Sequence, residues 1–471
     1  MKHIFIFILA FLFIIPVQAK KKPNYDITLK IKNNHDSVML LGYYQGKGNR
    51  VIDTAHLDSK GRFHFVSNTK KLPQGLCFFA NNKGNYVEFV VYDEKPFFSF
   101  ETEQKDWTFH MTVKGSQQNE IFYKFHHNQG LISEEIDRQH QVMDSTTFAQ
   151  YLKQQYARLD SLQFQLIQDH PTSFLTKMMN IIKDVAVPLV NDKGDSLTIY
   201  QQREYYLTHY FDNIPLEDNA ITHTPKKVFY DRVMNYFDNV LRYASPKVII
   251  DHMDPVIDRA KAAPDVFQFL VITLTQKYLQ SNVMVYDSIY VHLVKKYFAT
   301  EDNFWSTPTS IQSEAMRAAK WERLLVGHEA PELILFDTLR VPHSLHALPS
   351  KWKLLVFWSP TCGHCKHVIP AVYRAFEKYC EQYDISAFTI LSEPDDKTRK
   401  EWKEFLKKNN MSHPAWLSLD GAEANVDWHD VYDIISTPQI YLIDENNIIQ
   451  AKKLGENNIE EIITAICGEK E

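Results

Sequence analysis

Two cysteines separated by two residues carry the chemistry this sequence offers. In Trp358-Ser359-Pro360-Thr361-Cys362-Gly363-His364-Cys365 they follow an apolar run, Leu354-Leu355-Val356-Phe357-Trp358, and stand where a helix is expected to open. Free N–H groups and the helix dipole at such an N-terminus favour an anion, so the Cys362 thiolate should form easily. Cys365 lies one turn further on, close enough to attack a mixed disulfide on Cys362 and close a small ring. Cys362 is therefore the expected nucleophile and Cys365 the resolving thiol. A bare CxxC is also half a zinc site, so the pair is read together with its companions.

Those companions lie in elements that must position the pair. Pro370 falls eight residues after Cys362, where it can kink the helix. Ile435-Ser436-Thr437-Pro438-Gln439 leads into the apolar run Ile440-Tyr441-Leu442-Ile443. A proline at the head of a central strand is best accommodated by a cis Thr437–Pro438 bond. The expected order is strand 354–358, helix from Cys362, strand 387–391, helix 397–408, strand 439–443, hairpin strand 448–453 and helix 459–466. Strands alternating with helices predict an open α/β sheet.

Upstream the periodicity changes twice. Ile27, Leu29 and Ile31 alternate with Thr28, Lys30 and Lys32, and Phe63 and Phe65 flank His64. Asn- and Gly-containing turns separate such runs. This predicts an N-terminal antiparallel β-sandwich-like domain over residues 20–116. From 117 to 325 the period is helical: Phe229, Val233, Tyr236, Phe237, Val240 and Leu241 form one stripe. Helices are also expected over 266–279 and 287–298. The stripes read as core, and this all-α domain shows no ligand or nucleophile spacing of its own. Residues 326–471 form the third domain.

Composition narrows the classes further. The 52 Lys+Arg and 58 Asp+Glu give a formal net charge of −6, which argues against nucleic acid as a partner. Hydrophobic residues at 44% and aromatics at 13% are enough for packed cores. Glycine is scarce, 14 in 471 residues against a typical usage of about 7%, as a helix-rich chain requires. Five cysteines are too few for a disulfide scaffold. Residues 1–19 read as a signal peptide: a basic start, the apolar run 4–15, then Val17-Gln18-Ala19. That run is shorter than the about 20 residues a membrane-spanning helix needs. No membrane span is expected in the mature chain, which should reside in the periplasm or cell envelope, where disulfide chemistry is permitted.

The last third resembles the thioredoxin superfamily, in particular its TlpA/ResA-like branch of envelope thiol–disulfide oxidoreductases. The residues that carry the likeness are Gly327-x-x-Ala330-Pro331, the Phe357–Cys365 run, Pro370, and Thr437-Pro438 with its strand. The resemblance implies a thioredoxin fold, exchange with protein thiols and disulfides, a redox donor or acceptor of unknown identity, and no cofactor. It makes Thr437 and Pro438 substrate-contacting. Gly363-His364 resembles the dipeptide of protein disulfide isomerase, which implies a redox-tuning role and a potential in the upper part of the range from about −270 to −180 mV. Val113-x-Gly115-Ser116-x-x-Asn119 and the segment from Asn282-Val283-Met284 to His292-Leu293 resemble domains that precede such modules; they imply architecture only.

Two departures stand out. Val356 occupies the place of the buried thioredoxin aspartate, and Val368 that of the branch's glutamate. Glu393, just past a central strand, is the available proton acceptor for Cys365. The alternative function is an envelope binding or assembly protein whose CxxC is a structural disulfide or, with His343, His346, His364 and His367, a copper or zinc site. A dedicated metal site is not assigned. Thr361 lies directly beside Cys362, a spacing that does not suit a peroxidatic cysteine. Cys77 and Cys380 read as buried small hydrophobes, and Cys467 as an exposed thiol without a role. The oligomeric state is open.

Overall fold

Alternating apolar and polar side chains make the first strand, β1 (Tyr25–Lys32), bury every second residue against a second layer. The computed structural model describes residues 22–337 and 339–468. The signal-peptide reading concerns residues 1–19, which lie outside the described residues. The chain forms two compact units that part after Val240.

The first unit contains β2 (Val38–Gln45), β3 (Gly48–His56), β4 (Arg62–Ser67), β5 (Gly75–Ala80), β6 (Tyr86–Val91), β7 (Phe97–Glu103) and β8 (Thr112–Lys114). They build two four-stranded sheets in the orders β4-β1-β7-β8 and β3-β2-β5-β6. Phe65, Phe79, Phe89 and Phe100 fill the core shared by both sheets, with Phe79 stacked on Phe89 at 4.6 Å between ring centroids. The β1–β7 pair is parallel, pairing Ile27 with Phe98, and every other pairing is antiparallel. A parallel pair needs a long crossover, and here the chain between β1 and β7 spends its length on β2 to β6. Helices follow from Gln117–His140 to Phe229–Asn235. Asn119, fully buried, bonds both the N–H and the C=O of Val90 at 2.7 Å, and Ser116 caps its helix by accepting from the Asn119 N–H. The Gly115-Ser116-x-x-Asn119 pattern thus ties the first helix to the edge strand.

The second unit starts with the remaining helices, among them Pro246–Ala260, Pro264–Leu279, Asp287–Leu293 and Pro308–Arg323. The helical stretch is therefore shared between the two units. Its sheet comprises β9 (Ile334–Asp337), β10 (Pro342–Ser344), β11 (Trp352–Trp358), β12 (Ile385–Leu391), β13 (Trp416–Ala424), β14 (Gln439–Asp444) and β15 (Ile449–Lys452), in the order β10-β9-β13-β12-β11-β14-β15. All seven residues of β11 are buried because helices cover both faces of the sheet. Leu354, Val356 and Trp358 share a core layer with Ile369, Phe376 and Ile463, whereas Leu355 and Phe357 line the other face beside Phe388 and Tyr441 of the neighbouring strands and pack with Trp428. The Ile459–Gly468 helix corrects one expectation. Ile459, Ile463 and Cys467 recur at i, i+4 and i+8 and pack on the sheet, so Cys467 is buried and not exposed.

Candidate functional site at the dithiol turn

The Cys365–Tyr383 helix begins three residues later than expected, so Cys362 lies in the turn ahead of it. That placement matters physically. A side chain ahead of a helix can fold back onto its unpaired N–H groups, which one inside the first turn cannot do. The N–H of Cys365 donates to Cys362 Sγ at 3.4 Å. Cys362 is half-buried, whereas Cys365 is fully buried beneath it. Both thiols are free.

Across from the turn, the Thr437–Pro438 peptide bond is cis. Cys362 Sγ donates to the Thr437 carbonyl oxygen at 3.3 Å, across 75 residues of sequence. Partial burial disfavours the Cys362 thiolate, but the Cys365 N–H, the Cys365 thiol, Thr437 and the His364 backbone outweigh it, and Cys362 titrates below the ordinary thiol value. Burial pushes Cys365 the other way, up to about 12, and the facing Cys362 adds to the rise. The pair is thus asymmetric: one accessible, acidic thiol and one buried, weakly acidic one.

The other expected residues fall into place around it. His364 and Gly363 are exposed in the same turn, immediately before the helix. Val356 and Val368 are buried in the apolar layer that also holds Cys365. Glu393 is exposed after β12. Its Oε2 accepts from Ser359 at 3.4 Å and from Thr361 at 3.3 Å. Ser359 is itself buried, and its backbone faces the Cys365 sulfur. Glu393 therefore lies beside the dithiol turn, bonded to the side chain of the residue whose backbone faces Cys365. Its position right after the buried strand is the one hint of Ser359 in the sequence.

The histidines near the motif are drawn apart. His343 bonds Asp337 at 3.0 Å, and His346 bonds the Ala330 carbonyl at 2.7 Å. Among the described residues, no group of three or more His, Cys, Asp or Glu side chains is placed to hold a metal ion. No helix among them is long and apolar enough to cross a membrane.

Sequence reasoning missed the residues that flank the proline loop from the helical side. Trp321 Nε1 donates to Asp433 at 2.7 Å. Lys452 and Lys453 bond the buried Asp287 at 2.5 and 2.6 Å, and Lys452 also donates to the Leu324 carbonyl at 2.8 Å. The partners in each pair lie more than a hundred residues apart, so no spacing pattern marks them.

Comparison with known proteins divides the chain in a similar way. Residues 350–449 match a family described as thioredoxin-like, and residues 25–122 match a domain of unknown function, DUF4369. The thioredoxin-like protein YneN of Bacillus subtilis is 26% identical over 129 residues, covering 27% of this chain and 71% of that protein. A thiol-disulfide oxidoreductase ResA of Bacillus cereus is 25% identical over 141 residues, covering 30% of this chain and 76% of its own. A crystal structure of a thioredoxin-like protein from Bacteroides caccae superposes with a TM-score of 0.49 at 18% identity, over 60% of this chain and 99% of that one.

Proposed function

Starting from a thioredoxin-like domain at the C-terminal end of the chain, we propose that the protein is a thiol–disulfide oxidoreductase of the periplasm or cell envelope, acting on protein disulfides. The observation that carries this reading is the asymmetric dithiol: an accessible Cys362 favoured as thiolate above a buried Cys365. The basic, apolar and small-residue pattern of residues 1–19 supports the location.

The Cys362 thiolate attacks one sulfur of a client disulfide. A bond forms between Cys362 and the client, and the other client sulfur leaves as a thiolate. Cys365 then gives up its proton and attacks Cys362 Sγ, releasing the second client thiolate and leaving a Cys362–Cys365 disulfide. The client gains two electrons and the dithiol loses them. Glu393, which accepts from Ser359 and Thr361 beside the turn, is assigned as the acceptor of the Cys365 proton. Thr437 and Pro438 hold the client chain beside Cys362, and His364 tunes the potential. A redox donor or acceptor outside this chain resets the pair and sets the direction of flow.

Insulin reduction by the wild type and by Cys362→Ser tests the reading. Turnover should vanish in the variant. Activity surviving in Cys362→Ser, or absent from the wild type at every potential, would sink it in favour of a binding protein with a static CxxC. In Cys365→Ala the mixed disulfide should persist and identify the clients.

A further inference from the structure

The proline loop does not stand alone. Beside it lies a cleft of about 560 Å³ whose near wall includes His364, Ile435, Ser436 and Pro438. Its far wall comes from outside the thioredoxin-like domain, from residues 279–282 and from Trp321 and Leu324. The size is that of a ligand site.

Three features select the occupant. The backbone groups of residues 435–437 make no hydrogen bond to another described residue, except that the Thr437 carbonyl accepts from Cys362. Such an open backbone edge suits an extended chain. Ile435 is 73% exposed at the rim, an apolar side chain left for a partner. The charged side chains of the lining besides His364 are two lysines, Lys452 and Lys453, and two aspartates, Asp287 and Asp433. Both lysines are taken up by Asp287, and Asp433 accepts from Trp321. The lysines and aspartates thus offset one another and leave no cluster of cations, only His364 on the near wall, for a phosphate or another polyanion. What remains free on the far wall are the exposed amides of Gln280 and Asn282, which pair with peptide groups as readily as with each other.

We propose that residues 279–282 and Trp321 form the second wall of a client-binding cleft, gripping the extended polypeptide that carries the reacting disulfide. The inference rests on the exchange reading above and gives part of the helical stretch a role in choosing clients. A small disulfide reaches Cys362 without occupying the cleft, whereas a polypeptide must lie in it.

The test is single-turnover oxidation of the reduced full chain by two probes, 5,5′-dithiobis(2-nitrobenzoate) and a short fluorescent peptide disulfide. The variants are Gln280→Ala/Asn282→Ala, which removes the exposed amides, and Asn282→Trp, which fills the cleft. Both positions are exposed, so neither variant removes a packed side chain. The half-saturating peptide concentration should rise about tenfold, the equivalent of one or two lost hydrogen bonds. The limiting rate and the rate with the small disulfide should stay within about twofold. Unchanged peptide saturation in both variants, or an equal loss with both probes, overturns the proposal. A wild type inert to both probes would remove the exchange reading itself, and this inference with it.

Discussion

The N–H of Cys365 is aimed at the sulfur of Cys362, 3.4 Å away, while the Cys365 side chain is shut off from solvent. One residue thus helps its neighbour to ionise and is itself prevented from doing so. Alkylation separates the two. With the reduced protein near neutral pH, iodoacetamide should label Cys362 and leave Cys365, Cys77, Cys380 and Cys467 untouched, all four being buried. The labelling rate should rise with pH and reach half its plateau below the ordinary thiol value of about 8.5, since Cys362 titrates low. Equal labelling of both motif cysteines, found by peptide mass spectrometry, would contradict this asymmetry.

His364 is exposed immediately before the helix, one residue from Cys365 and two from Cys362. A positive imidazole there favours the thiolate form and so makes the disulfide a better oxidant. His364→Ala should lower the reduction potential by about 30 mV, equivalent to about 1.4 kcal/mol for a two-electron couple. Redox equilibration against glutathione or dithiothreitol measures it. A wild-type value below about −290 mV would defeat the tuning role given to His364.

Val356 sits fully buried in the apolar layer of Cys365, which holds no carboxylate of its own, whereas the assigned acceptor Glu393 lies exposed outside that layer. Val356→Asp places one within it. The Cys362–client mixed disulfide should then resolve faster in stopped-flow. The stability cost should be about 1–3 kcal/mol, as for an unsatisfied buried polar group. Burial raises the carboxyl's pKa above its unfolded value. The neutral acid is tolerated at low pH, so the cost grows as pH rises from the unfolded-state pKa towards the folded-state one. Faster resolution with no loss of Tm would mean the site is wetter than its burial indicates.

Asp287 is 2% exposed and serves both Lys452 and Lys453. Asp287→Ala strands a buried ammonium and should cost about 3–5 kcal/mol, read by denaturant unfolding. Burial already holds the Lys452 pKa below the ordinary lysine value, and losing Asp287 lowers it further. The unpaired charge exists below that pKa and disappears above it. The deficit should therefore shrink as pH approaches about 10. A deficit independent of pH would mean that lost packing, and not the stranded charge, is responsible.

Much of the architecture was legible because it is written in local periodicity. Alternation in residues 25–32 marks a strand, and the stripe Ile459, Ile463 and Cys467 marks a helix. That same stripe shows the limit: a short C-terminal helix gave no sign of which face met the sheet, so Cys467 read as exposed. The strands β9, β10 and β13 also escaped, since short or half-buried strands carry little alternation. So did the parallel β1–β7 pairing, because register across a sheet is a long-range choice.

At the site, the sequence by itself determined the chemistry. Two cysteines after an apolar strand, at the approach to a helix, are a dithiol with one activated member, and Thr437-Pro438 before a central strand marks a cis bond, as found. Only the tertiary structure decided what surrounds them. It set the Thr437 carbonyl against Cys362, Trp321 against Asp433 and Asp287 against Lys452. Backbone preference and hydrophobic period act over a few residues. Such long-range pairs exist only once packing has brought distant segments within hydrogen-bonding reach.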